Sequence, residues 1–233
     1  MEIVLFALLG AVVGFVLEPL VVRLAVPSEE GIAPLEERLA VVPLGEVGRA
    51  RLAALIGEGP LWRRPALVAV TAALFAVAAT RYPTPKEAAV VSAYAAVFIA
   101  CAATDLMAFR VPNVITYPAA GGALLAAALM PQGDVREALI GGAIGGGLML
   151  IIALVSRGGL GLGDVKLAGF AGLALGGSLI LPALLITALA GGVVAAYLAV
   201  RVRRRSYPMP YAPFISAGAL AVLLWQGSAF VSL

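Results

Sequence analysis

An all-α, polytopic membrane protein with about eight transmembrane helices, one of them short, and one cytoplasmic loop is what this sequence predicts. Three observations carry that expectation. Of 233 residues, 62% are hydrophobic and 12% are charged, against about 45–50% and about 25% in a soluble domain. The mean hydropathy is +1.05. The apolar residues fall in runs near the roughly 20 needed to cross a bilayer. A globule of this length could not hide so much apolar surface. A soluble enzyme, a disordered tail and a disulfide scaffold are therefore excluded. The single cysteine, Cys101, can form neither an internal bridge nor a zinc cluster. There is no histidine. That removes Ser-His-Asp and Cys-His catalysis and HExxH zinc sites.

The spans follow in order. The first covers residues 3–26. It has no basic n-region and ends in Glu18-Pro19 rather than a small-residue cleavage site, so it reads as a retained helix and not a signal peptide. Residues 27–64 are polar and form a cytoplasmic loop or small lobe, in which 35–56 has the pattern of an amphipathic surface helix. Residues 65–233 form a transmembrane bundle. Its spans are 65–80, 87–104, 114–130 and 138–155. The apolar run 165–200 is too long for one helix and too short for two with a loop. Gly176-Gly177-Ser178 is its natural break. That gives a short helix, 165–175, and a long one, 179–200. The last span is 214–231.

Lys and Arg set the orientation. With the N-terminus outside, thirteen of the sixteen basic residues fall on the inner side, leaving only Arg81, Lys86 and Arg136 outside. The same topology puts Asp105 and Asp164 at the cytoplasmic ends of spans. Arg201 to Arg205 read as a stop-transfer cluster. The pairs Gly141/Gly145 and Gly142/Gly146 each share one helix face and permit close backbone approach, a packing role. Trp62, Tyr82 and Trp225 suit the membrane interface. Cys101 suits a packed core.

Chemistry has few places to reside. Glu18, Asp105 and Asp164 are the carboxylates near membrane depth, and such a group is costly unless it has a use. Glu18 can pair with an arginine such as Arg23. Asp164, standing just before the short helix, suits an N-cap. The alternative for Asp105 and Asp164 is a hydrolytic pair. Two close carboxylates do not ionise together, so one takes a proton from water while the other polarises a carbonyl. The glycines of Gly159-Leu160-Gly161-Leu162-Gly163-Asp164 make neither a dinucleotide fingerprint nor a P-loop.

Thr104-Asp105-Leu106, then Val111-Pro112-Asn113 and Thr116, then Gly161-Leu162-Gly163-Asp164-Val165-Lys166-Leu167 with Gly172 and Gly176, together resemble the bacterial type IV prepilin peptidases. These are membrane aspartyl proteases of the GxGD type. Gly14-Phe15-Val16-Leu17-Glu18 with Arg23 is similar to the family's first-helix motif. Met209-Pro210-Tyr211-Ala212-Pro213-Phe214 is similar to its late Pro-Phe-Gly-Pro-Phe segment. The resemblance implies that Asp105 and Asp164 are the catalytic pair. It implies a substrate, a prepilin or pseudopilin, cut at the cytoplasmic membrane face between a basic leader and a hydrophobic helix. It implies no cofactor for proteolysis, and S-adenosylmethionine where the family's N-methylation is retained.

Three departures bear on that second activity. The loop 27–64 lacks the two Cys-x-x-Cys pairs that bind zinc in many members, so no metal site is expected. Glu18 stands where the family has Asn, and Ala69 where it has Glu. No residue can be assigned to S-adenosylmethionine. Competing readings are a presenilin-like protease, a cation- or proton-coupled transporter using the two carboxylates, and a lapsed enzyme serving as scaffold. The first lacks its Tyr-Asp motif. The second wants carboxylates deep in the bilayer.

Overall fold

The computed structural model describes residues 1–25, 63–156, 160–202, 209–229 and 231–232, with backbone alone at 198–202 and 231–232. These residues form eight helices: α1 (Glu2–Ala25), α2 (Arg63–Arg81), α3 (Pro85–Ala108), α4 (Asn113–Leu129), α5 (Val135–Val155), α6 (Leu162–Leu175), α7 (Gly177–Val202) and α8 (Ala212–Gln226). Five of them, α1, α2, α3, α5 and α7, are long and apolar enough to cross a membrane. Helices α4 and α8 are apolar but shorter. Helix α6 has only 14 residues, about 21 Å at 1.5 Å per residue. The protein is a multi-pass membrane bundle. The loop or lobe expected at 27–64, including Trp62, lies outside the described residues apart from its last two positions. So do Arg203 to Arg205.

Helix α1 packs along α2. It buries Phe6, Gly10, Gly14, Leu17 and Val21, one stripe at helical spacing. The two glycines bring the backbones together. A Cβ at Gly10 would lie 2.7 Å from the Thr71 carbonyl oxygen, and one at Gly14 2.8 Å from Val68 Cα. Glu18 is buried on this face and its partners differ from the expected Arg23. Arg63 Nη2 donates to Oε1 at 2.8 Å and Arg64 Nε to Oε2 at 2.9 Å. Arg23 lies about 140° round the helix from Glu18, at 100° per residue, and faces another way. The ion pairs tie the last third of α1 to the first turn of α2.

Helix α3 supplies the centre of the core. Thr84 caps it through a reciprocal box with Glu87, and Pro85 occupies its first turn. Val91, Tyr94, Phe98 and Cys101 are buried along it, and Phe98 and Tyr94 both meet the ring of Phe170 from α6. Cys101 packs as expected, fully hidden.

Helices α5 and α6 form a second close pair. Here the glycine pairs predicted to permit close approach do so. A Cβ at Gly141 would collide with the Gly172 carbonyl, and one at Gly172 with the Gly141 carbonyl. A Cβ at Gly145 would strike the Ala168 carbonyl. Helix α6 ends where the Gly-Gly-Ser break was predicted. Gly176 has φ +86°, a conformation that favours glycine. The Glu137 carboxylate then accepts the Gly177 and Ser178 amides that open α7.

The C-terminal end differs from expectation. The last helix stops at Gln226 rather than continuing to 231. Gly227 takes φ +114° and breaks it. Residues Gly227–Ser228 pair antiparallel with Val231–Ser232 in a two-stranded ribbon. Ala229 donates to the Ala174 carbonyl at 3.0 Å. Tyr82, expected at the membrane interface, is turned into the bundle rather than set on its outer surface. It is buried and its hydroxyl donates to the Leu223 carbonyl at 2.7 Å. Trp225 is exposed, with the Arg81 guanidinium 5.2 Å from its ring.

Candidate active site

Chain direction places Arg63, Asp105, Asn113, Asp164 and Ala212 at one end of the bundle. Each lies where α2, α4, α6 or α8 begins, or where α3 finishes. Asp105 sits one turn inside α3, which continues to Ala108 rather than ending at 104. The helix stops because Phe109 adopts the left-handed conformation, φ 50°, and returns its N–H to the Asp105 carbonyl at 2.8 Å. Pro112 then caps α4 in extended conformation. Chain reversal between α3 and α4 thus takes only a few residues. Thr104 is fully buried beside Asp105, and its hydroxyl bonds back to Ala100 and Cys101 carbonyls.

Asp164 is not the N-cap of α6. Gly161 holds that position, and Asp164 is the third helical residue. Its Oδ2 reaches back to accept the Gly161 N–H at 3.3 Å. This is the acidic half of a capping box: glycine, having no side chain, cannot return the bond. Gly163 faces the loop after α3. A Cβ there would lie 3.0 Å from Val111 Cβ, so the glycine lets the two motifs touch. Lys166, one turn on, donates to Asn113 Oδ1 at 2.9 Å and lies 5.1 Å from the Tyr117 ring centroid. The Pro-Asn element and the Asp-x-Lys element are therefore joined directly.

Both carboxylates are hidden, Asp105 at 5% exposure and Asp164 at 8%. They are near enough that the charge of Asp105 acts on Asp164. Each has one oxygen held by a backbone amide. Ala212 N–H donates to Asp105 Oδ2 at 3.0 Å, while Gly161 N–H holds Asp164 Oδ2. Asp164 Oδ1 is buried and has no hydrogen-bond partner among the described residues. The structure thus brings the two predicted residues together. The anchor from Ala212 was not foreseen in the sequence. The signal for it was the Pro-rich helix start Tyr211-Ala212-Pro213, since proline in a first turn leaves nearby amides free to bind elsewhere. Glu18, the third carboxylate singled out, belongs to the α1–α2 ion pairs instead. Among the described residues, no group of three or more His, Cys, Asp or Glu could hold a metal ion.

Fold and site define a polytopic helical membrane protein with a coupled, amide-anchored carboxylate pair at one end of its bundle. The type IV leader peptidase family matches residues 92–196, which include Asp105 and Asp164. A Bacillus subtilis (strain 168) protein, prepilin leader peptidase/N-methyltransferase, is 32% identical over 166 residues, 70% of this chain and 66% of that protein. A Burkholderia pseudomallei (strain 1026b) protein of the same name is 31% identical over 174 residues, 71% of this chain and 56% of that protein. The chain thus spans just under two thirds of the first relative and a little over half of the second. No solved structure matches. The chain belongs to the type IV leader peptidase family.

Proposed function

We propose that the protein is a prepilin leader peptidase, a membrane aspartic endopeptidase that removes the basic leader from type IV prepilins or pseudopilins. Asp105 and Asp164 are its catalytic pair. One observation carries the reading: two mutually interacting buried carboxylates are each held by backbone amides, and Asp164 keeps Oδ1 without a partner among the described residues. In this mechanism Asp105, held by the shorter amide bond, carries the charge and takes a proton from water. The water oxygen bonds to the scissile carbonyl carbon. Asp164, whose Oδ1 is buried without a partner, gives its proton to the carbonyl oxygen. The resulting gem-diol collapses as the C–N bond breaks: one of its hydroxyls returns a proton to Asp164 as the C=O re-forms, and the proton held on Asp105 passes to the leaving amine. Burial strengthens each of these electrostatic steps.

The site faces the cytoplasm of the inner membrane in this reading. Arg63, Arg64 and Lys166 share the end that bears the carboxylates, while Arg81, Lys86 and Arg136 lie towards the other, which agrees with the positive-inside rule. A leader ending at a hydrophobic helix would then present its junction at that end.

N-methylation with S-adenosylmethionine finds less support. The carboxylate at the position where the family has Asn is engaged by Arg63 and Arg64 on both oxygens, which fits a structural ion pair between α1 and α2.

The test is a cleavage assay. Purified full-length protein in lipid is mixed with a prepilin carrying a Gly-Phe junction, with S-adenosylmethionine present, beside Asp105→Asn and Asp164→Asn. The expected result is cleavage by wild type and none by either variant. A product heavier by one methylene would show that methylation is retained. Absence of cleavage by a folded wild type would overturn the reading.

A further inference from the structure

The turn before α8 holds one half of the carboxylate pair and lies near the other. The amide of Ala212 donates to Asp105 at 3.0 Å. The preceding residue, Tyr211, lies near enough to Asp164 that the charge of that carboxylate acts on its phenol. Burial, and then that charge, hold the phenol above its ordinary range, so it stays neutral. Tyr211 caps α8 by position only, since its side chain makes no capping bond. The ring is seated instead against α7. A Cβ at Gly191 would lie 3.0 Å from its Cε2 and 3.3 Å from its Cζ. Phe214, three residues on, stands 5.9 Å away ring to ring. One turn before Gly191, Thr187 donates to the Phe214 carbonyl at 3.2 Å and fixes α7 against the start of α8.

We propose that Tyr211 is a positioning residue of the site: its ring, seated on Gly191 beside Phe214, fixes the turn whose next amide holds Asp105 in place against Asp164. Tyr211 lies beyond the matched residues 92–196. Its ring rather than its hydroxyl is the working part, since ring carbons, Cε2 first, make the closest approach to Gly191. The reasoning is geometric. Two carboxylates acting on one water tolerate little displacement, and a misplacement of about 1 Å can cost roughly 100-fold in rate.

The inference rests on the protease reading, and the experiment separates the two. Full-length protein in lipid is assayed for prepilin cleavage as wild type, Asp105→Asn, Tyr211→Phe, Tyr211→Ala, Gly191→Ala and the Gly191→Ala/Tyr211→Ala double variant. Tyr211→Phe keeps the ring and is expected within about threefold of wild type, while Tyr211→Ala loses about 100-fold in kcat with KM unchanged. Gly191→Ala pushes the ring and is expected to lose about tenfold, a loss that disappears in the double variant because the two share one contact. Full kcat in Tyr211→Ala would overturn the proposal, as would a loss confined to KM. A Gly191→Ala penalty that persists in the double variant would do the same. If Tyr211→Ala fails to fold, Gly191→Ala and Tyr211→Phe decide: a full-rate Gly191→Ala or an inactive, folded Tyr211→Phe overturns it. Wild type active and Asp105→Asn inactive, with Tyr211→Ala undiminished, would sink this inference alone. An inactive wild type would remove both readings.

Discussion

The two carboxylates are held in opposite ways. Asp164 is anchored locally, by an amide three residues back in its own helix turn. Asp105 is anchored by Ala212, 107 residues further along the chain. The first arrangement is written in consecutive letters, Gly161 to Asp164, and forms whenever α6 forms. The second exists only when α8 has docked against α3. A pair built this way is complete only after the last helix is in place, so the site reports on the whole bundle.

Exchanging either carboxylate removes the pair whatever its anchor. Asp105→Asn and Asp164→Asn are each expected to lower cleavage roughly 10⁴-fold, at the upper end of general acid–base contributions, measured by intact mass of the prepilin product. A difference between them of more than an order of magnitude would mean that the two do not act as one unit.

The local anchor can be strained on its own. Gly163→Ala sets a methyl 3.0 Å from Val111 Cβ and pushes the Asp164 turn from the α3–α4 loop. Cleavage is expected to fall roughly 10- to 100-fold, by displacement of about an ångström or less. Adding Val111→Ala should recover most of it. No recovery would place the constraint elsewhere.

Stability probes the scaffold beneath Asp164. Gly172→Val drives a branched side chain into the Gly141 backbone and should cost about 1–3 kcal/mol or more by overpacking. Thermal unfolding in detergent would show it. Gly121→Ala, with nothing within 4 Å of its Cβ, should leave the midpoint unchanged or slightly raised. Equal shifts in both would argue against the α5–α6 contact.

The smallest effect concerns the cross-motif link. Lys166→Met removes an exposed hydrogen bond to Asn113, worth about 0.5–1.5 kcal/mol. The same unfolding assay should place it below Gly172→Val. A larger loss than Gly172→Val would make that link the principal support of the Asp164 turn.

Much of this was legible in the sequence because membrane helices announce themselves. Hydropathy marked α1 to α5 within three or four residues at each end, and Gly176 marked the break between α6 and α7. The site residues were legible too, since Gly-x-Gly-Asp is a local pattern. What stayed hidden was tertiary. Glu18 chose Arg63 and Arg64, far along the chain, over Arg23, five positions away, because helical phase and not sequence distance decides which side chains meet. Tyr82 looked like a rim residue by position, yet the Leu223 carbonyl at the end of α8 drew its hydroxyl inward. The final helix looked continuous to 231 because apolar composition alone does not distinguish helix from ribbon. Gly227 was the breaker. The Ala212 anchor had no local trace except the proline that follows it.

The ribbon has one more consequence. Helix α6 stops short and turns at a single glycine, so its terminal peptide groups finish within the body of the bundle, where water is scarce and a bare carbonyl is costly. The chain answers with its own tail: Ala229 donates to Ala174, and the Ala229 carbonyl receives the Asp134 amide at 3.4 Å. The turn at Ala229 acts as a stopper for a broken helix. Without it the Ala174 carbonyl, at the far end of the element that carries Asp164, would lose its amide partner.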